Sequence, residues 1–168
     1  ELYAKPNTPP AAPDSILVQN GPRLNYITWT ASKSKPMKYR VYRGLSATSL
    51  QVIRDTTSKL SFLDTGLTAW KKYYYAIRCI DTVGVPSGYS VIKTGVPNNI
   101  WWVDKNGNDN NSGTISLPLK SIGKAISKAI SLTDTIYVNK GRYYENISFA
   151  GKAILISSNY KRLNDTSL

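Results

Sequence analysis

The side chains in this sequence best suited to chemistry are aromatics interleaved with cations. Trp70, Lys71, Lys72 and Tyr74 fall within "AWKKYYY", and Lys38, Arg40 and Arg43 within "KYRVYR". A flat ring can stack on a sugar face or a base, and ammonium or guanidinium groups pair with carboxylate, sulfate or phosphate. Trp70, Tyr74, Lys72 and Arg40 are therefore the candidate contacts for an acidic polysaccharide or a cell-surface glycan. Plainer roles compete with this one. A tryptophan at a turn can cover the edge of a core, and basic residues commonly form a solvated face.

Catalysis is harder to place. The chain has no histidine, which excludes an imidazole base, a serine or cysteine triad and most zinc sites. Its single cysteine, Cys79, cannot close an internal disulfide and behaves as a small hydrophobe. Lys140, Arg142 and Glu145 lie close together near a strand, but their spacing marks none of them as a base or a ligand. No catalytic residue is assigned. Asp104, Asn106 and Asn108 occupy positions one, three and five of a calcium-loop spacing, yet Asp109 stands where that loop needs Gly and Ile115 where it needs Glu. An Asn/Gly-rich connection explains the same letters, so no metal or cofactor is expected.

Net charge is +12, with 13 Lys/Arg against 5 Asp/Glu in residues 1–97 and 9 against 5 in residues 98–168. Such a balance attracts polyanions without choosing among them. Nucleic acid is not expected as a partner, since no recognition helix, ribonucleoprotein signature or Gly-rich phosphate loop accompanies the cations. Membrane insertion is not expected either, because no apolar run approaches the ~18 residues a span requires.

The elements that must hold these residues are mainly β. In "YYYAIRC", Tyr73, Tyr75, Ile77 and Cys79 share one face of a period-two pattern, while Tyr74, Ala76 and Arg78 share the other. Residues 1–13 hold the proline-rich "PNTPPAAP" and read as a semi-rigid linker. Seven short β-type runs follow: "SILVQN", "LNYITWT", "MKYRVYRG", "SLQVIRD", "LSFLDT", "YYYAIRCID" and "SVIKTG". Asn20-Gly21-Pro22, residues 32–36 and residues 84–88 supply turns between them.

Across residues 14–97 this string resembles a fibronectin type III β-sandwich. The resemblance is carried by Trp29 in "YITW", by Tyr39 and Val41 in "YRVYRG", by Leu67 six residues before Tyr73, and by "DTVGVPSGYS" as a final hairpin. It implies that Tyr73 and Tyr75 are core residues. Two positions depart from the pattern. Ala69-Trp70 stands where the family turns with Pro-Gly, and Asn25 occupies a strand position more often apolar.

Composition shifts at "IWWVDKNGNDNNSGT", where an apolar strand gives way to an Asn/Gly loop. Next, Ile122, Ala125, Ile126, Ala129 and Ile130 recur at the spacing of one helical face, with Lys120, Lys124 and Lys128 opposite. Three β-runs follow, "DTIYVNKG", "YYENISFAG" and "KAILISSNY". Residues 98–168 resemble the N-terminal cap and first coil of a right-handed parallel β-helix of the pectate-lyase-like kind. In that resemblance Ile122, Ala125, Ile126 and Ala129 are capping contacts of an amphipathic helix, and Ile136, Val138, Ile147, Ile154 and Ile156 are core of the first coil. A solenoid needs about three coils, so a truncated chain is expected, its natural partners including further coils of a parent protein.

The two resemblances together imply a secreted or cell-surface protein of bacterial type. The expected function is a non-catalytic spacer or interaction module of a larger protein that acts on or adheres to glycans. The alternative is the front of a polysaccharide lyase or hydrolase whose catalytic coils lie beyond Leu168.

Overall fold

The computed structural model describes residues 8–34 and 38–159. Among these the chain forms two compact units. The first takes residues 25–65 and 70–96 with the segment up to Gln19; the second takes residues 20–24, 66–69 and the chain from Pro97 onward.

The first unit is built on two sheets. One has the order β1 (Ile16–Gly21), β2 (Leu24–Trp29), β5 (Ser61–Thr65); the other runs β4 (Gln51–Thr57), β3 (Lys38–Gly44), β6 (Tyr73–Ile80), β7 (Lys93–Gly95). β3 pairs antiparallel with β4 and β6, and β6 with β7. The alternation in β6 does what the period demands: Tyr73, Tyr75, Ile77 and Cys79 are buried, and Tyr39 and Val41 lie opposite Cys79 and Ile77. Trp29 packs edge-on against Tyr39 at 5.6 Å.

The core also has a polar seam. Asn25 of β2, fully buried, donates through Nδ2 to the Tyr75 hydroxyl (3.0 Å), which donates to Asp64 Oδ2 (2.7 Å); Arg43 Nη1 donates to both Asp64 oxygens (2.8 and 3.0 Å). Asn25 and Asp64 come from one sheet, Tyr75 and Arg43 from the other, so the seam ties the sheets together. Buried polar groups are tolerated when they are paired; the Asn25 amide nitrogen is paired, while its Oδ1 is buried without a hydrogen-bond partner among the described residues. Burial raises the Tyr75 phenol well above its ordinary range, keeping it neutral and able to donate.

Residues 10–13, read as linker, pack onto this unit. Pro10 and Pro13 are buried, and the Ala11 carbonyl accepts from Ser32 Oγ (2.5 Å) and Cys79 Sγ (2.9 Å).

The second unit holds a parallel sheet of order β10 (Leu155–Ser158), β9 (Thr135–Val138), β8 (Ile100–Val103) and one helix, α1 (Ile122–Lys128). Pairing is in step, so Trp101, Ile136 and Ile156 form one row and Val103, Val138 and Ser158 another. Trp101, Val103, Leu119, Ile122, Ala125, Ile126, Ala129 and Ile136 make its core, with Val138, Tyr143, Ile154 and Ile156 packed against it. Asp134 is buried and gathers Trp101 Nε1 (2.8 Å), the Ile130 N–H (2.9 Å), Thr133 Oγ1 (2.9 Å) and Arg23 Nη1 (3.0 Å).

The expected helical face extends one residue too far. Ser121 caps α1, its hydroxyl accepting from the Lys124 N–H (3.2 Å), but Ala129 already has extended backbone (ψ 146°), and Ile130 is turned out to solvent, 50% exposed. "YYENISFAG" forms no strand, and Ile147, expected in the core, is 44% exposed. The backbone there does not pair with a neighbouring strand. Glu145 and Lys152 instead bring the segment onto the two ends of α1, and Ile147 between them faces outward. No helix among the described residues is long and apolar enough to cross a membrane.

Candidate functional site

The outward face of the four-stranded sheet carries the residues that the β3 and β6 periods turn away from the facing sheet, of which Tyr42 and Ala76 are themselves buried. Register places Arg40 opposite Arg78, Tyr42 opposite Ala76 and Gly44 opposite Tyr74. Arg40 and Tyr74 thus share a face but stand four pairs apart, about 13 Å at the rise of a strand. Between them, Tyr42 meets Tyr89 edge-on at 5.0 Å, and the Arg78 guanidinium lies over the Tyr89 ring, also at 5.0 Å. Arg78 is fixed further by donating through Nε to the Ser87 carbonyl (2.6 Å). The row Arg40, Arg78, Tyr89, Tyr42, Tyr74 therefore runs the length of the sheet.

Not every basic residue of β3 joins it. Arg43, grouped with Lys38 and Arg40 in the sequence, turns inward to Asp64 and lies 5.6 Å from the centre of the Tyr73 ring. Arg40 stays on the outer face, where its Nε donates to Asp55 Oδ1 (2.6 Å), and this partner raises its pKa. An exposed pair of this kind is weak, so Asp55 holds the guanidinium in place without removing it from a stronger anion.

Trp70 and Lys72 lie on the approach to β6. Trp70 is 64% exposed and sits at φ 65°, the left-handed region that glycine adopts without strain. The turn keeps the geometry of a glycine turn while presenting an indole to solvent. Beside the Tyr74 end of the face, Lys71, Tyr73, Arg43 and Gln51 line a cleft of about 440 Å³. Its floor needs Gly44, since a Cβ there would collide with the Ser49 carbonyl oxygen.

Tyr42, Arg78 and Tyr89 belong to this row but were not among the candidate residues of the sequence. Tyr42 and Arg78 were legible as outward positions of their strands. Tyr89, which belongs to no strand, reaches the face only because the chain after β6 folds back, with the Ser87 and Ser90 N–H groups donating to the Cys79 and Ile77 carbonyls (2.8 Å each).

The Asn/Gly loop after β8 turns its oxygens onto its own backbone. Asp104 Oδ1 accepts from the Asn106 N–H (2.8 Å) and Asn108 Oδ1 from the Asn110 N–H (2.9 Å), while Asp104 Oδ2 accepts from Asn139 Nδ2 (2.9 Å). These contacts, led by the Asn106 N–H, lower the Asp104 pKa. Among the described residues no group of three or more acidic or thiol side chains is placed to hold a metal ion.

Residues 105–149 match a family described as "Protein of unknown function (DUF1565)". The comparison with curated proteins returns no match. Among solved structures, the chain is similar to an Fn3-like protein from Clostridium thermocellum, at 22% identity and TM-score 0.47 over 52% of this chain and 93% of that one. It is similar to the sixth fibronectin type III domain of human fibronectin type III domain containing protein 3, at 19% identity and TM-score 0.48 over 56% and 91%. A β-1,2-glucanase from Parabacteroides distasonis is similar at 21% identity and TM-score 0.47 over 55% of this chain but only 14% of its own.

Proposed function

We propose that this chain is a non-catalytic spacer and interaction module of a larger secreted or cell-surface bacterial protein that adheres to or acts on glycans. The observation that carries the reading is the row of Arg40, Arg78, Tyr89, Tyr42 and Tyr74 on one sheet face. Tyr42 is buried and backs the exposed Tyr89 edge to face, so Tyr89 and Tyr74, with guanidinium groups beside them, suit an extended anionic sugar polymer: a sugar face against a ring, a carboxylate against a cation. The net charge of +12 adds a long-range attraction.

The first unit is read as a fibronectin type III sandwich and the second as the cap and opening coil of a parallel β-helix. In-step rows such as Trp101, Ile136 and Ile156, with α1 over their core, support the second reading. Further coils of a parent chain would continue those rows. Retention of the chain on an immobilised acidic polysaccharide, weakened by Arg40→Ala, Tyr74→Ala, Trp70→Ala or Lys72→Ala and without shortening of the polymer, is the expected result. Release of unsaturated or reducing ends by the chain would overturn the non-catalytic reading and favour a lyase or hydrolase. Unchanged retention in all four variants would remove the sandwich face as the contact.

A further inference from the structure

We infer that the second unit carries its own binding groove for a carboxylated polysaccharide, formed by Lys105, Lys120, Lys140 and Arg142 around the exposed ring of Tyr144. This deepens the glycan-adhesion reading above and rests on it. Two adjoining hollows, of about 400 and 570 Å³, share Lys105, Arg142 and Tyr144; Lys120 lines the first and Lys140 the second. The four cations come from three separate segments: the loop after β8, the approach to α1 and the turn after β9. All four are exposed.

Like charges gathered in one groove repel, so their local carboxylates matter. Asp109 and Glu145 line the smaller hollow, and both are held by backbone. Asp109 accepts from the Lys120 and Ser121 N–H groups (3.0 and 2.9 Å) and from Ser121 Oγ (2.8 Å), and Glu145 from the Ile122 and Gly123 N–H groups (2.9 and 2.8 Å). Among the described residues none of the four cations forms an ion pair, unlike Arg40 and Arg43 of the first unit. Their charge is therefore available to a ligand, and the larger hollow, lined by cations with no carboxylate, concentrates the opposite ion.

The groove is also shaped. Tyr143 is fixed by donating its hydroxyl to the Asn139 carbonyl (3.0 Å), whereas the neighbouring Tyr144 is 88% exposed. Gly141 lets the Lys105 stem lie close, since a Cβ there would stand 3.2 Å from Lys105 Cδ. A uronate polymer matches each part: a ring face on Tyr144, carboxylates on Arg142 and the lysines, hydroxyls on the remaining lone pairs of Asp109 and Glu145. A DNA backbone suits the groove less well, because it brings no hydroxyl donor to those two carboxylates, whereas each uronate does.

The test is titration of the full chain with polygalacturonate, using Lys140→Ala/Arg142→Ala and Tyr144→Ala, with thermal unfolding to show that these exposed substitutions leave the fold intact. Each variant is expected to weaken binding by about tenfold or more, and the double variant to flatten its salt dependence. Unchanged affinity in both, with loss in the Arg40 and Tyr74 variants, would overturn the groove and leave the glycan reading standing. No binding by the unaltered chain to polygalacturonate would overturn the groove; none to any acidic polysaccharide would overturn both. Single-stranded DNA bound as tightly, through the same residues, would overturn the choice of ligand.

Discussion

Glu145 and Lys152, seven residues apart in a segment with neither strand nor helix, grip opposite ends of α1. Glu145 accepts from the Ile122 and Gly123 N–H groups at the start, and Lys152 Nζ donates to the Ile126, Ser127 and Ala129 carbonyls at the end (2.7, 2.9 and 2.9 Å). Both charges oppose the helix dipole, and both satisfy backbone groups that a helix leaves unpaired at its termini. A seven-residue helix does not persist alone in water. Its apolar face and this clamp hold it.

Removing either grip should loosen α1. Glu145→Ala and Lys152→Met are each expected to cost about 1–2 kcal/mol, since both leave partly buried backbone groups without partners. Amide hydrogen exchange should speed up in residues 122–129 and stay unchanged in β3 and β6. Equal speeding in both units would refute a local clamp.

Acid should weaken the second unit. Burial works against the charge on Asp134, but the Arg23, Ile130, Trp101 and Thr133 hydrogen bonds together hold its pKa below the ordinary 3.8. Asp109 is lowered too, with burial again opposed by contacts from Ser121 and Lys120, and Asp104 is lowered chiefly by the Asn106 N–H. A depressed carboxylate contributes stability that is fully present above its unfolded value and is lost as pH falls through its folded one. The unit should therefore weaken below about pH 4, and Asp134→Asn should reduce that pH dependence. A pH-independent melting temperature between pH 6 and pH 2 would contradict it.

The polar seam of the first unit makes a sharper claim about Tyr75. Tyr75→Phe removes one oxygen but strips a partner from both Asn25 and Asp64, so a loss of about 1–3 kcal/mol is expected in denaturant unfolding. Arg43→Met should cost more, about 3–5 kcal/mol, because it leaves the buried Asp64 carboxylate without its cation. The reverse order would show that the phenol, not the guanidinium, supports Asp64.

Trp70 separates stability from contact. Glycine adopts its φ of 65° freely, so Trp70→Gly should be at least as stable as Trp70→Ala, by about 1 kcal/mol. Both should lose retention on acidic polysaccharide if the indole is a contact. A glycine variant less stable than the alanine one would show that the turn does not hold the left-handed geometry.

Period and turn chemistry by themselves determined much of this protein. The alternation of Tyr73, Tyr75, Ile77 and Cys79 specifies a half-buried strand, and Ile122, Ala125 and Ile126 specify one buried helical face, because burying apolar side chains is a local pattern repeated along the chain. Asn25, a misfit by pattern alone, became intelligible only beside Tyr75, fifty residues away. Only the tertiary structure decided where the helix ends, since Lys152 takes its last carbonyls and Ile130 is left outside. The same holds for Arg43, which by spacing belongs with Arg40 and by geometry belongs to Asp64. It holds most of all for Lys105 and Lys120, which no spacing groups with Lys140 and Arg142. Charges act through space, and only the stacking of β8, β9 and α1 brings these four to one groove.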